Sequence, residues 1–245
     1  MIPEHICLGV FTVCTGISLL LLMRGYDNDT FSATLVFTIA LFQLLEFGVW
    51  NNLDCDPKGS NDKATRLSYM LFWLAPALLA LSAAFFSKNV IGDDSGRKFL
   101  LGIGIAHLIF VFALVPLVIE DKTTWCSQPG NNWIIQWWYL REKPPLFPNL
   151  MWFVGVLSAL LLVDPILFGV GALAIGISAF FIGKKADGHL LGEWFSVTTV
   201  LSNIIALWAL IFPPLNHYFF GFPIVISTPV VMPTLNVGSK VNGVV

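Results

Sequence analysis

Residues 99–119 read FLLGIGIAHLIFVFALVPLVI, a stretch without a single aspartate, glutamate, lysine or arginine. Roughly 20 apolar residues in a helix cross the hydrocarbon core of a bilayer. The stretch therefore predicts a membrane-spanning helix. Six further apolar runs share this character: Ile6–Met23, Phe31–Trp50, Leu67–Phe86, Leu146–Val163, Ile166–Ile182 and Leu190–Phe212. Together the runs predict an all-α, polytopic membrane helix bundle with seven transmembrane helices.

The composition points to the same class of protein. Charged residues make up 11% of the 245 residues and hydrophobic residues 56%, whereas a soluble domain carries about 25% charged residues. No lysine or arginine precedes the first run, so we expect a retained helix and not a cleaved signal peptide. The net charge of −2 gives no indication of a nucleic-acid partner. The partner that the composition does indicate is the lipid bilayer.

Prolines and an acidic turn divide the chain. Pro213-Pro214 ends the last run, which gives a seven-helix domain at 1–215 and an extended or interfacial tail at 216–245. Asp164-Pro165 separates the fifth and sixth runs, because aspartate favours the position before a helix and proline its first turn. We expect a helical hairpin there.

Seven crossings place the termini on opposite faces of the membrane. We call the face with the N-terminus and the loops after runs two, four and six side A, and the other face side B. Side A carries Lys58, Lys63, Arg66, Lys122, Arg141, Lys143, Lys184 and Lys185, and side B carries Arg24, Lys88, Arg97, Lys98 and Lys240. This excess favours a cytoplasmic side A. Cys55 and Cys126 argue the other way, because both lie on side A and a disulfide between them requires an oxidising compartment. We favour an extracellular or lumenal N-terminus.

Polar side chains inside the runs are the candidate functional residues, because an ionisable group in a span costs several kcal/mol. Gln43 and Glu46 share a face of the second run, and His107 lies near the middle of the fourth. The seventh run carries Glu193, Ser196, Thr199 and Asn203 at helical spacing. Both glutamates approach side A, which predicts a pocket open to that face. The alternatives are glutamates paired with Arg66, Lys184 or Lys185, interhelical hydrogen bonds from the seventh run, and an interior histidine.

An aromatic loop between the fourth and fifth runs is the predicted roof of that pocket. Tryptophan and tyrosine prefer the headgroup level, where the ring meets apolar surface and the polar tip meets water. The loop therefore lies flat on the membrane or folds over the bundle as a lid. Its candidate roof residues are Trp133, Gln136, Trp137 and Arg141.

No pattern in the sequence indicates a metal, a cofactor or a catalytic group. The four histidines lie in four separate segments, and neither HxxxH nor CxxC occurs. Enzyme activity is therefore disfavoured, and we expect no catalytic residue, no metal site and no cofactor.

Several of these residues carry a family resemblance. Phe42–Trp50 is followed by Cys55, by the proline-bearing third run with Pro76, by Cys126 and Trp133–Trp137, and by Gly192-Glu193-Trp194. This order resembles the uncharacterised seven-helix membrane proteins of large algal viruses, algae and other protists. The resemblance implies seven helices, supports a Cys55–Cys126 pairing and implies no activity. The chain departs from the family at Ala75, where members carry glutamine, and at Asn131-Asn132, where they often carry Gly-His.

Three functional hypotheses follow. The first is a transporter or channel for a small molecule or an ion, with Glu46 and Glu193 lining its path. The second is a non-catalytic structural or scaffold subunit of a membrane assembly, and a homo-oligomer is compatible with either hypothesis. The third is an intramembrane enzyme, which requires His107 to lie within hydrogen-bond reach of a carboxylate.

Overall fold

Four long helices form the first half of the protein. In the computed structural model, which describes residues 3–129, 135–141, 146–187 and 203–213, these are α1 (Pro3–Arg24), α2 (Asp29–Trp50), α3 (Ser60–Phe86) and α4 (Asp93–Glu120). In the described part of the chain, these four helices are long and apolar enough to cross a membrane. The prediction of a helical membrane protein is therefore confirmed, with four candidate spans among the described residues.

The second half contains a short β ladder and further helices. A two-residue antiparallel ladder pairs β1 (Gln128–Pro129) with β2 (Ile135–Gln136) and leads into α5 (Trp138–Arg141). Two apolar helices follow, α6 (Leu146–Leu161) and α7 (Ile166–Asp187), and the last described helix is α8 (Asn203–Pro213). The predicted tail at 216–245 lies outside the described residues.

The break predicted at Asp164-Pro165 is present, because α6 and α7 are separate helices. Backbone hydrogen bonds tie this connection to the α3–α4 loop: Ile91 N donates to Leu162 O at 2.7 Å, and Asp164 N donates to Asn89 O at 3.1 Å. The two connections therefore lie side by side on side B.

Ion pairs close side B at the α1–α2 turn. The Arg24 guanidinium contacts Asp29 at 2.6 Å and also donates to the backbone oxygens of Ala209 and Leu210 at 3.2 and 2.6 Å. The end of α8 thus lies beside the end of α1.

Small residues allow the helices to approach closely. Ala77, Ala80 and Ala83 on α3 are completely buried, in a bundle where α3 packs against α2, α4 and α6. By contrast, large apolar side chains of α1 and α4 point outward, with Met23 80% and Phe112 71% exposed. Exposed apolar faces of this kind are compatible with contact between α1, α4 and lipid.

Candidate functional site: a buried carboxylate under an aromatic lid

Glu46 is the buried carboxylate around which the candidate site is built. Its side chain is on the inner face of α2, one turn before the helix ends on side A, and the residue is 2% exposed. The Cys7 thiol of α1 donates to Glu46 Oε2 at 3.7 Å. Gln43, completely buried, lies against the same carboxyl group. Glu46 Oε1 has no hydrogen-bond partner among the described residues.

Arg66, one of the basic residues considered as a counter-charge for Glu46, makes its described contacts with other groups. Arg66 forms an ion pair with Asp62 at 3.0 Å, one turn away on α3. Its other nitrogens donate to backbone oxygens of Val118, Asp121 and Thr123, and its guanidinium stacks over Trp125 at 4.9 Å. Arg66 therefore joins α3 to the end of α4. The side chains of Lys184 and Lys185 lie outside the described part of the structure.

The aromatic loop folds inward over side A. Ile135 and Trp137 are 1% and 0% exposed, and Tyr139 on α5 is also buried. These values describe a lid that packs on the bundle, which is the second of the two arrangements expected for this segment. We call residues 125–129 and 135–141 the lid.

Tyr139 is the lid residue that is electrostatically linked to Glu46. Burial raises the pKa of the Tyr139 hydroxyl above its ordinary value, and the charge of Glu46 contributes in the same direction. The phenol therefore keeps its hydrogen and remains a donor. Ser68 of α3 lies close to this hydroxyl, but no described group makes a hydrogen bond of good geometry with it.

A buried polar cluster fastens the lid to α3. The Asn61 side chain donates to Ser127 O at 2.8 Å and accepts from Ser127 N at 3.0 Å. The Ser127 hydroxyl is 2.8 Å from Thr65 Oγ1 and accepts from Trp138 N at 3.1 Å. Asn61, Thr65 and Ser127 are all completely buried. Because the cluster satisfies both backbone groups of Ser127, it fixes where the lid crosses α3.

Two further contacts hold the start of the lid. Cys55 and Cys126 lie sulfur to sulfur with their Cα atoms 5.3 Å apart, within the range of about 4.4–6.8 Å that disulfides use. Asp121 accepts from Thr123 and from the Trp125 indole nitrogen, and these hydrogen bonds, with that from the Thr123 backbone first, lower the pKa of its carboxyl. The loop after α4 therefore leads the chain directly into the lid.

Stacked rings fill the space between the lid and the helices. Trp125 stacks on Trp138 with ring centroids 4.8 Å apart, and Tyr139 lies 5.2 Å from Tyr69 of α3. Trp137 stacks on Tyr139 at 5.8 Å. Aromatic pairs of this kind add about 0.5–1.5 kcal/mol each beyond the area that they bury. Ring contacts therefore join the lid residues to one another and to α3.

His107 lies apart from this site. Its Nδ1 is 2.9 Å from Ile103 O of its own helix, and its Nε2 is 3.2 Å from Met151 O of α6. Both ring nitrogens thus contact backbone oxygens, and neither of these contacts is to a carboxylate. The condition that the enzyme hypothesis set for His107 is not met by its described contacts.

A small apolar cavity adjoins His107. It has a volume of about 140 Å³ and lies between α3, α4 and α6, lined by Trp73, Ala106, His107, Phe110, Pro148 and Met151. Gly155 of α6 brings the helices together there, since a Cβ atom at this position would lie 2.7 Å from Pro76 Cβ and 2.8 Å from His107 Cε1. His107 is therefore part of a helix contact.

The structure groups Gln43, Glu46 and Trp137 at side A and separates His107 from them. Glu193, Ser196, Thr199 and Trp133 lie outside the described residues, and Gln136 and Arg141 are described by their backbone alone. Asn203 is half-buried at the start of α8. Sequence reasoning missed Cys7, Asn61, Ser127 and Tyr139 as members of the site. The described residues contain no group of three or more histidine, cysteine, aspartate or glutamate side chains suited to a metal ion.

Comparison with protein-family models, with curated proteins and with solved structures finds no match to the chain.

Proposed function

We propose that the protein is a seven-helix membrane transporter or channel in which Glu46 belongs to an occluded binding site for an ion or small molecule. The observation that carries the proposal is the state of the Glu46 carboxylate. It is 2% exposed, and among the described residues one of its oxygens has no hydrogen-bond partner and no cation forms an ion pair with it. Burying such a group costs free energy, and ionisable residues inside membrane spans commonly mark ion or substrate pathways.

The seven crossings are part of the proposal. Four helices have the length and hydropathy of spans, and α6, α7 and α8 contribute three further apolar helices. The contact of Arg24 with the end of α8 supports an odd number of crossings. Kinship with the seven-helix proteins of algal viruses and protists belongs to the same proposal.

The lid supports a site that opens toward side A. Glu46 lies one helical turn from that face, and the lid covers it there. We propose that Cys55 and Cys126 form a disulfide in the native protein, which places side A and the N-terminus in an extracellular or lumenal compartment.

Ion flux through proteoliposomes tests the proposal. Purified protein is reconstituted, and H⁺, Na⁺, K⁺ and Cl⁻ movements are followed with ion-sensitive dyes under imposed gradients. We expect flux above that of protein-free vesicles, reduced at least tenfold in Glu46→Gln. The matched control is Glu120→Gln, whose side chain is exposed at the end of α4. No flux for any of these ions, together with a Glu46→Gln variant as stable as the unmodified protein, contradicts the proposal and favours a structural subunit.

A further inference from the structure

The geometry points to a proton as the ion that the Glu46 site binds. The inference deepens the proposed function, on which it rests, because it names the ion. It depends on three features of the site: the chemistry of the groups around the carboxylate, the lack of a charged partner among the described residues, and the closed lid.

The described groups around Glu46 suit a carboxylic acid better than a metal ion. Cys7 from α1 presents a thiol, Tyr139 from α5 presents a buried phenol, and Gln43 presents an amide from one turn away. Thiol and phenol hydrogens are donors, which a carboxyl oxygen accepts and a cation does not. Hard cations in proteins take several oxygen ligands. The Gln43 amide offers both a donor and an acceptor, so it can serve either protonation state of the carboxyl group.

Charge has to be balanced locally at Glu46. Among the described residues, the titratable groups that interact with Glu46 are Cys7 and Tyr139, and both are neutral when they carry their hydrogens. On α3, the charged groups Asp62 and Arg66 are paired with each other. An isolated carboxylate in a low-dielectric interior costs many kcal/mol, and uptake of a proton removes that cost.

The proton balance is simple. A proton from water on side A joins a Glu46 oxygen, and the carboxylate becomes a neutral carboxylic acid. Release returns the proton to water, and no electron is transferred. Because Trp137 is 0% exposed and Tyr139 is buried beside it, the lid has to part for either step.

Infrared spectroscopy of the full chain in lipid vesicles tests the inference, because a neutral carboxylic acid has a C=O stretching band that a carboxylate lacks. We expect this band at neutral pH, a shift on ¹³C labelling of glutamate, and a loss of the band in Glu46→Gln. The band persists in the matched control Glu120→Gln. A second variant, Cys7→Ser, is expected to shift the band, because the thiol contacts Glu46 Oε2.

The outcomes separate the proton inference from the proposed function. A band that moves with the glutamate label in the unmodified protein and is lost in Glu46→Gln supports the inference. Absence of the band at neutral pH, or its survival at neutral pH in folded Glu46→Gln, overturns the inference. Loss of the band when sodium replaces choline at constant pH also overturns it, because a metal cation then occupies the site. A band at Glu46 without flux of any tested ion leaves the proton site standing and contradicts transport.

Discussion

Asn61→Ala removes the side chain that fastens the lid to α3. Asn61 is completely buried, and its amide donates to Ser127 O and accepts from Ser127 N. It also accepts from Thr65 Oγ1 at 3.2 Å. Alanine at this position leaves both backbone groups of Ser127 without their partner in a site that water does not reach.

The size of the effect follows from those two groups. A buried donor or acceptor left without a partner costs about 1–3 kcal/mol. The Ser127 hydroxyl keeps its contacts with Thr65 and Trp138, so we take about 2–4 kcal/mol as the loss in free energy of local lid opening. Since about 1.4 kcal/mol corresponds to a factor of ten, the open lid becomes roughly 30 to 1,000 times more populated.

Amide hydrogen exchange at Trp138 measures this opening. The Trp138 amide donates to Ser127 Oγ and has no bond to Asn61, so its exchange reports on the lid and not merely on the deleted contact. We expect Trp138 exchange to accelerate by the same factor of roughly 30 to 1,000. Exchange in the middle of α3, away from the lid, should change little.

Asn89→Ala is the matched control. Asn89 is exposed in the α3–α4 loop on side B, and surface substitutions of this kind usually change stability by less than about 0.5 kcal/mol. If Trp138 exchanges as slowly in Asn61→Ala as in Asn89→Ala, the reasoning is refuted, and the other contacts of the lid hold it without Asn61.

Three further predictions concern the surroundings of the site. Arg66→Lys should lower the free energy of unfolding by about 1–3 kcal/mol in chemical denaturation, because lysine lacks the planar fork that reaches several acceptors at once. Gly155→Ala should lower the melting temperature, whereas Gly102→Ala, where a Cβ meets nothing within 4 Å, should not. Hydrogen bonds, first from the Thr123 backbone, hold the pKa of Asp121 below 3.8, so its stabilising contribution is present above pH 3.8 and is lost as the pH falls through the lowered pKa. The acid-induced change in tryptophan fluorescence should be smaller in Asp121→Asn than in the unmodified protein, because the Trp125 indole nitrogen donates to Asp121.

Hydropathy predicted the four helices that are long and apolar enough to span a membrane, but it predicted the helix ends less well. The run that starts at Leu67 belongs to α3, which begins at Ser60. The polar first turns were not recognised as helical because hydropathy marks contact with lipid, and Asn61 and Asp62 face the protein interior instead. Their side chains bond the lid, which is a tertiary contact that no local pattern contains.

The sequence was sufficient to predict Glu46 as a candidate site residue, but not to predict the residues that surround it. A glutamate in an apolar run is conspicuous, so Glu46 could be found from the sequence alone. Cys7 could not be found in this way, because its contact with Glu46 depends on the register between α1 and α2. Tyr139 and Ser127 were missed because their positions also depend on tertiary structure. The fold of the lid decides which of its residues point inward.

The two faces of the bundle are closed by different kinds of contact, and this difference bears on which face opens. Side B is closed by backbone hydrogen bonds between connections, such as Ile91 N to Leu162 O, and by the Arg24–Asp29 pair, which also holds the end of α8. Opening that face separates helix ends that are joined directly. Side A is closed by a lid whose bonds to α3 come from side chains, above all those around Ser127. A lid of this kind can part while the helices stay packed, so the proton exchange that we propose for Glu46 would require the least disruption on side A.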